Sequence, residues 1–229
     1  MPAAFTHYIA LGDSISIDLY PAEDVARRHP GKANSDRLGA ASLLVQNDDR
    51  LWPEFRGRDL KSRFPDIKPT DLTADGATTE TLLRQVDRIP RSDEPALVTI
   101  TAGGNDLLGG DEAPSIASRL QKAVTRVLEV RPDALIIVGT VYDPSDGTNR
   151  LPGIPGTLDR EAAWLREYND GIRRMIATDP RLRLADIHRH FLGHGLTVPE
   201  KDRWYLQESI IEPNARGASE VRRLWIELI

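Results

Sequence analysis

Tyr8-Ile9-Ala10-Leu11-Gly12-Asp13-Ser14-Ile15-Ser16 carries a short apolar run straight into a glycine turn and a hydroxyl. A run this short and apolar fits a strand buried on both faces of a parallel sheet. A glycine turn at its end lifts the next side chain out of the sheet edge, the place where ligands of α/β sheets bind. Ser14 is therefore a candidate nucleophile. The plain alternative is that Asp13 and Ser14 only cap the following helix, since both side chains accept hydrogen bonds from free helix N–H groups.

The pattern returns along the chain. A second strand over 67–73 ends in Ala74-Asp75-Gly76-Ala77-Thr78-Thr79, and Leu82, Leu83 and Val86 follow at helical spacing with Thr78 or Thr79 as cap. A third strand, 96–101, enters Ala102-Gly103-Gly104-Asn105-Asp106, and a helix over 115–129 carries an apolar stripe of Ile116, Leu120, Val124, Val127 and Leu128. The clearest buried strand is 134–141; a proline- and glycine-rich loop over 143–156 and a helix over 158–176 follow. A weaker fifth strand over 183–187 and a closing helix from about Asn214 complete the series. Five strands alternating with helices predict an α/β fold with a parallel sheet, helices on both faces and right-handed crossovers. Three small or polar turns then share one sheet edge. They offer a hydroxyl, a glycine N–H and an asparagine amide, the parts of an acyl-transfer site.

The segment 20–65 reads as a variable insertion of helix and loop, with a helix near 38–45 and the patch Leu51-Trp52-Pro53-Glu54-Phe55. Together with the loop 143–156 it is expected to shape a substrate pocket. The alternative is that Trp52 and Phe55 simply pin a long loop to the core. Asp106 reads as a brace of the Gly-Gly-Asn turn and Asp18 as a partner of a loop amide.

The 229 residues, 40% of them hydrophobic, can bury a sizeable core and are expected to form a single domain over 1–229. A net charge of −5, with basic residues scattered among acids, argues against nucleic acid as a partner. No apolar run reaches the roughly 18 residues that span a bilayer, and no basic region followed by an apolar core opens the chain, so no membrane partner and a cytoplasmic location are expected. The absence of cysteine removes thiol nucleophiles and thiolate metal sites, and the aspartates show no metal-ligand spacing. Neither cofactor nor metal is expected. The oligomeric state is not legible.

With these motifs in hand, the chain resembles the SGNH or GDSL hydrolases, esterases and lipases, from Ala10 to about Gly217. Gly12-Asp13-Ser14 matches their nucleophile block with Ile15 in place of leucine, Asp75-Gly76-Ala77-Thr78 is similar to their second block, and Gly103-Gly104-Asn105-Asp106 matches their third. The resemblance implies a flavodoxin-like three-layer α/β/α sandwich around a mostly five-stranded parallel sheet. It also implies Ser14 as nucleophile, with the Ser14 and Gly76 N–H groups and the Asn105 amide as oxyanion donors. The implied substrate is a small carboxylic ester, short acyl or acetyl, cleaved through an acyl-enzyme.

The fourth block departs from the family. Where members carry Asp-x-x-His-Pro-Asn, this chain has Ser209-Ile210-Ile211-Glu212-Pro213-Asn214. Three readings follow. Glu212 is itself the base, given an apolar pocket from Ile210, Ile211 and Trp204 that raises its pKa. Or His194, between two glycines after the fifth strand, is a relocated base with Glu212 as its orienter, the alternative for His194 being a loop histidine bonded to a nearby carbonyl. Or the base is missing, leaving a catalytically weak binding protein; an acyltransferase is a further option. Of the other histidines, His7 opens the first strand, His29 lies in the insertion, and His188 and His190 read as helix-face residues.

Overall fold

The computed structural model describes residues 4–28 and 37–229; His29 lies outside them. Its strands are β1 (His7–Gly12), β2 (Lys68–Asp71), β3 (Ala96–Thr101), β4 (Leu135–Gly139) and β5 (Leu182–Ala185). They pair in parallel in the order β2-β1-β3-β4-β5. The helices are α1 (Leu19–Arg28), α2 (Ala40–Val45), α3 (Leu60–Arg63), α4 (Thr79–Val86), α5 (Gly104–Leu108), α6 (Ala113–Val130), α7 (Asp159–Ile176), α8 (Ile187–Phe191) and α9 (Ala215–Glu227).

Side chains of a strand alternate between its two faces. Ile9, Leu11, Val98, Ile100, Ile136 and Val138 meet the apolar stripes of α4, α6 and α7 on one side. Tyr8, Ala10, Leu97 and Ile137 meet α2, α8 and α9 on the other. The result is three layers, α/β/α, as the alternation of elements predicts. Because the strand order reverses between β1 and β3, their C-terminal ends form the switch point where such sheets take ligands.

Differences from the sequence expectation fall at edges and in the insertion. β2 spans only 68–71, not 67–73: it is an edge strand paired with β1 alone, and Pro69 has no N–H to donate. β5 spans 182–185, not 183–187, because Asp186 leaves the strand to cap α8, accepting from the Arg189 N–H at 3.3 Å. Within 37–65 the chain forms two short helices and a 3-10 turn, and Phe55 is fully buried beneath the Arg222 guanidinium, 3.6 Å above its ring.

The β1 turn is held most tightly. Gly12 has φ +117°, and a Cβ there would lie 1.7 Å from the Thr101 carbonyl oxygen of β3. Only glycine lets the two strand ends approach so closely. Gln85 of α4 then reaches back to both backbone groups of Gly12, accepting from its N–H at 2.7 Å and donating to its carbonyl at 2.9 Å. The Asp13 N–H donates to Thr101 O at 2.9 Å. Gln85→Met keeps the volume and leaves the buried Gly12 N–H unpaired, while the Gly12 carbonyl still accepts from the Ala74 N–H at 3.0 Å, so a loss of about 1–3 kcal/mol is expected by urea denaturation. A loss under about 0.5 kcal/mol, the range of a neutral surface change, would show that the clamp does not hold the turn.

Candidate active site

Three turns at the C-terminal edge of the sheet build the site. Ser14 stands one residue beyond the clamped Gly12–Asp13 turn and is 5% exposed. Gly76 lies on the turn after β2 with φ +66°. Asn105 opens α5 behind Gly103, whose φ of +107° puts the absent Cβ against the Tyr168 ring at 2.3 Å. Tyr168 in turn donates to the Ala102 carbonyl at 2.9 Å, so α7 fixes the third turn.

Hydrogen bonds tie the turns together. Asn105 Nδ2 donates to the Ala77 carbonyl at 3.0 Å, which sets the second turn against the third. Asp106 does more than brace its own turn: it accepts from the Thr79 N–H at 2.9 Å, capping α4, and from Arg119 at 2.9 Å. Asp18 accepts from the Leu38 and Gly39 N–H groups, each at 2.7 Å. One hydrogen of the Asn105 amide remains uncommitted, and among the described residues the Ser14 and Gly76 N–H groups have no acceptor. Three N–H donors on the turns thus stand without a protein acceptor among the described residues.

Glu212 reaches the serine. The Ser14 hydroxyl donates to Glu212 Oε1 at 3.0 Å, across 198 residues of sequence. Oε2 is buried with no partner among the described residues. Burial, followed by the nearby charge of Asp75, pushes the Glu212 carboxyl up to about 7, against the opposing pull of the Ser14 hydrogen bond. Asp13, 1% exposed beside it, is also pushed up to about 7, chiefly by burial. A carboxylate in this range is far better matched to accepting a hydroxyl proton near neutral pH than one titrating near 4.5.

His194 is not brought to this group. Its ring stacks on Trp204 at 3.6 Å, and Nδ1 meets the Asp202 carbonyl at 2.7 Å. His190 Nε2 meets a Glu220 carboxylate oxygen at 3.0 Å, so it is a hydrogen-bond partner and not a plain helix-face residue.

Beside Ser14 opens a cavity of about 150 Å³, walled by Ile15, Leu107, Val141, Leu151, Leu165 and Ile211 and bordered by Ser14, Asn105 and Glu212. The loop 143–156 contributes to its wall as expected. The insertion does not: no described residue of 20–64 lines it, because Phe55 and Leu60 point into the core on the opposite sheet face. Tyr142, which also lines the cavity, was not picked out from sequence; its position directly after a central strand is the signal that marks it.

A GDSL-like lipase/acylhydrolase family profile matches residues 10–219. The chain belongs to that family. Solved structures agree in fold: a lipolytic G-D-S-L family member from Veillonella parvula (15% identity, 97% of each chain, TM-score 0.63) and an extracellular lipase from Streptomyces rimosus (18% identity, 97% of this chain and 98% of that one, TM-score 0.63). An α/β hydrolase enzyme from the metagenome of Lake Arreo is similar at 18% identity over 98% of this chain and 95% of that one, with a TM-score of 0.66. No curated protein matches the sequence. Family membership makes this chain a hydrolase of the lipase and esterase class. Among the described residues no helix is long and apolar enough to cross a membrane.

A carboxyl whose pKa is raised by folding holds its proton more tightly in the native state, so its contribution to stability is greatest at low pH and is lost as pH rises. For Glu212 the window runs from its ordinary value of 4.5 up to about 7. Across it the Glu212→Gln variant should gain on the wild type by roughly 2–3 kcal/mol in urea unfolding at pH 8 relative to pH 4.5. Parallel pH profiles for the two proteins would mean that the carboxyl is not perturbed.

Proposed function

We propose that this GDSL-family hydrolase cleaves carboxylic esters of short, apolar acyl groups with Ser14 as nucleophile and Glu212, in place of histidine, as its base. The observation that carries the reading is the 3.0 Å hydrogen bond from the Ser14 hydroxyl to a buried carboxylate. The apolar wall beside Ser14 supports an apolar acyl group. In the reaction, Ser14 Oγ bonds the ester carbonyl carbon while its proton passes to Glu212. Negative charge on the carbonyl oxygen is met by the Ser14 and Gly76 N–H groups and the Asn105 amide. Collapse breaks the bond to the alcohol, which leaves with the proton from Glu212. Water then attacks the acyl-enzyme, gives a proton to Glu212, and the acid departs as Ser14 recovers its hydrogen. His194 has no part in this sequence.

Hydrolysis of short p-nitrophenyl esters tests it. Ser14→Ala and Glu212→Gln should each lose at least about a thousandfold in kcat, Asn105→Ala about a hundredfold to a thousandfold, and His194→Ala should stay within about twofold of wild type. Since the base acts ionised, kcat/KM should rise about tenfold per pH unit below 7 and level off above it. A fall for His194→Ala as deep as that for Ser14→Ala would transfer the base to the histidine. A wild type no faster than Ser14→Ala on any ester would leave a binding protein on this fold.

A further inference from the structure

Glu212 poses a structural problem that a histidine base does not. In a serine–histidine–aspartate site the third side chain orients the base. Here the Glu212 carboxylate has one protein partner, Ser14 itself, and its second oxygen has none among the described residues. Its direction must therefore come from the backbone that carries it, and residues 207–214 contain no helix or strand.

That backbone is held from two sides. The Leu206 N–H donates to the Glu212 carbonyl at 2.8 Å. On the other side the Tyr142 hydroxyl donates to the Ile211 carbonyl at 2.5 Å, the oxygen of the peptide that leads into Glu212. Tyr142 arrives from the loop after β4, and its ring is fixed in direction. It stacks on Phe191 at 5.0 Å and 15°, and meets the edge of Tyr205 at 5.0 Å and 88°. Tyr205 in turn bridges Pro213, the residue after the base. Burial and the neighbouring carboxylates hold the Tyr142 phenol well above its ordinary range, so it remains a donor at any working pH.

We propose that Tyr142 is the positioning residue for the base: its hydroxyl fixes the peptide between Ile211 and Glu212 and so keeps the carboxylate on Ser14, the task an aspartate side chain performs in a histidine triad. The proposal rests on Glu212 being the base. Tyr142 also borders the cavity, so one ring forms part of the acyl wall and aligns the catalytic carboxylate. Loss of its hydroxyl should lower turnover while leaving the wall, and hence substrate binding, nearly intact.

The test is Tyr142→Phe beside Tyr8→Phe, which removes a buried hydroxyl paired with Thr99 at 2.9 Å on the same core without touching the site. Titratable groups facing Glu212 are Asp13 and Ser14 from the β1 turn, Asp75 from the β2 turn, Tyr20 of α1 and Tyr142 itself. Only the last differs between wild type and Tyr142→Phe. A misplaced base costs about tenfold to a hundredfold, so kcat should fall by that factor in Tyr142→Phe with KM within about twofold, and the acidic limb of kcat/KM should move to lower pH as the carboxyl gains water. Tyr8→Phe should keep both the wild-type kcat and the wild-type limb. A Tyr142→Phe enzyme with unchanged kcat and limb, whatever its stability, overturns the proposal. Glu212→Gln, assayed in parallel, separates the two readings: if it is dead while Tyr142→Phe is normal, only the positioning role falls, and if it is active, both fall.

Discussion

Nothing larger than a hydrogen atom fits on the inner side of Gly12, where the Thr101 carbonyl of the neighbouring strand presses against the turn. This close approach of β1 to β3 sets the height at which Ser14 leaves the sheet, and Gln85 locks it by taking both backbone groups of Gly12. Every other part of the site is placed relative to that turn. Asn105 is set by Gly103 and Tyr168, the second turn is set by Asn105 and Asp106, and the Glu212 carboxyl comes to Ser14 from the far end of the chain. The three turns can cooperate because a parallel sheet brings its strand ends to one edge.

In the proposed reaction a carboxylate replaces a histidine, and it can do so only through its surroundings. In water a glutamate is ionised well below neutrality and holds a serine proton poorly. Burial against Ile211 and the cavity wall makes the ionised form costly, and the electrostatic opposition of Asp75 adds to that cost. The same burial that brings the carboxyl into a useful range works against folded stability above neutrality. The site thus shows the common opposition between a reactive group and a stable interior.

Much of this was legible in the chain itself. Ala96–Thr101 and Leu135–Gly139 are mostly apolar and carry no charge, which marks strands buried on both faces, and the stripe Ile116, Leu120, Val124 and Val127 has the helical period. The edge strand β2 was overextended in the sequence reading because its exposed residues carry no burial pattern and Pro69 weakens the ladder. Of the two readings of the insertion, the one in which Phe55 pins it to the core holds: an aromatic patch such as Trp52 and Phe55 reads alike whether it faces a substrate or a core, and only packing against Arg222 and α9 decides.

The sequence by itself determined the class of fold, the three turns and the absence of a histidine from the fourth block, because each depends on local residue types and spacing. Tertiary structure alone decided which side chain meets Ser14. A hydrogen bond between residues 198 positions apart leaves no periodic trace, and neither does the burial that lifts the Glu212 carboxyl to about 7. In the sequence both stand as candidate bases, Glu212 by its place in the fourth block and His194 by its loop between two glycines. They part only when the chain folds, since one ring stacks on Trp204 and the other side chain turns inward to Ser14.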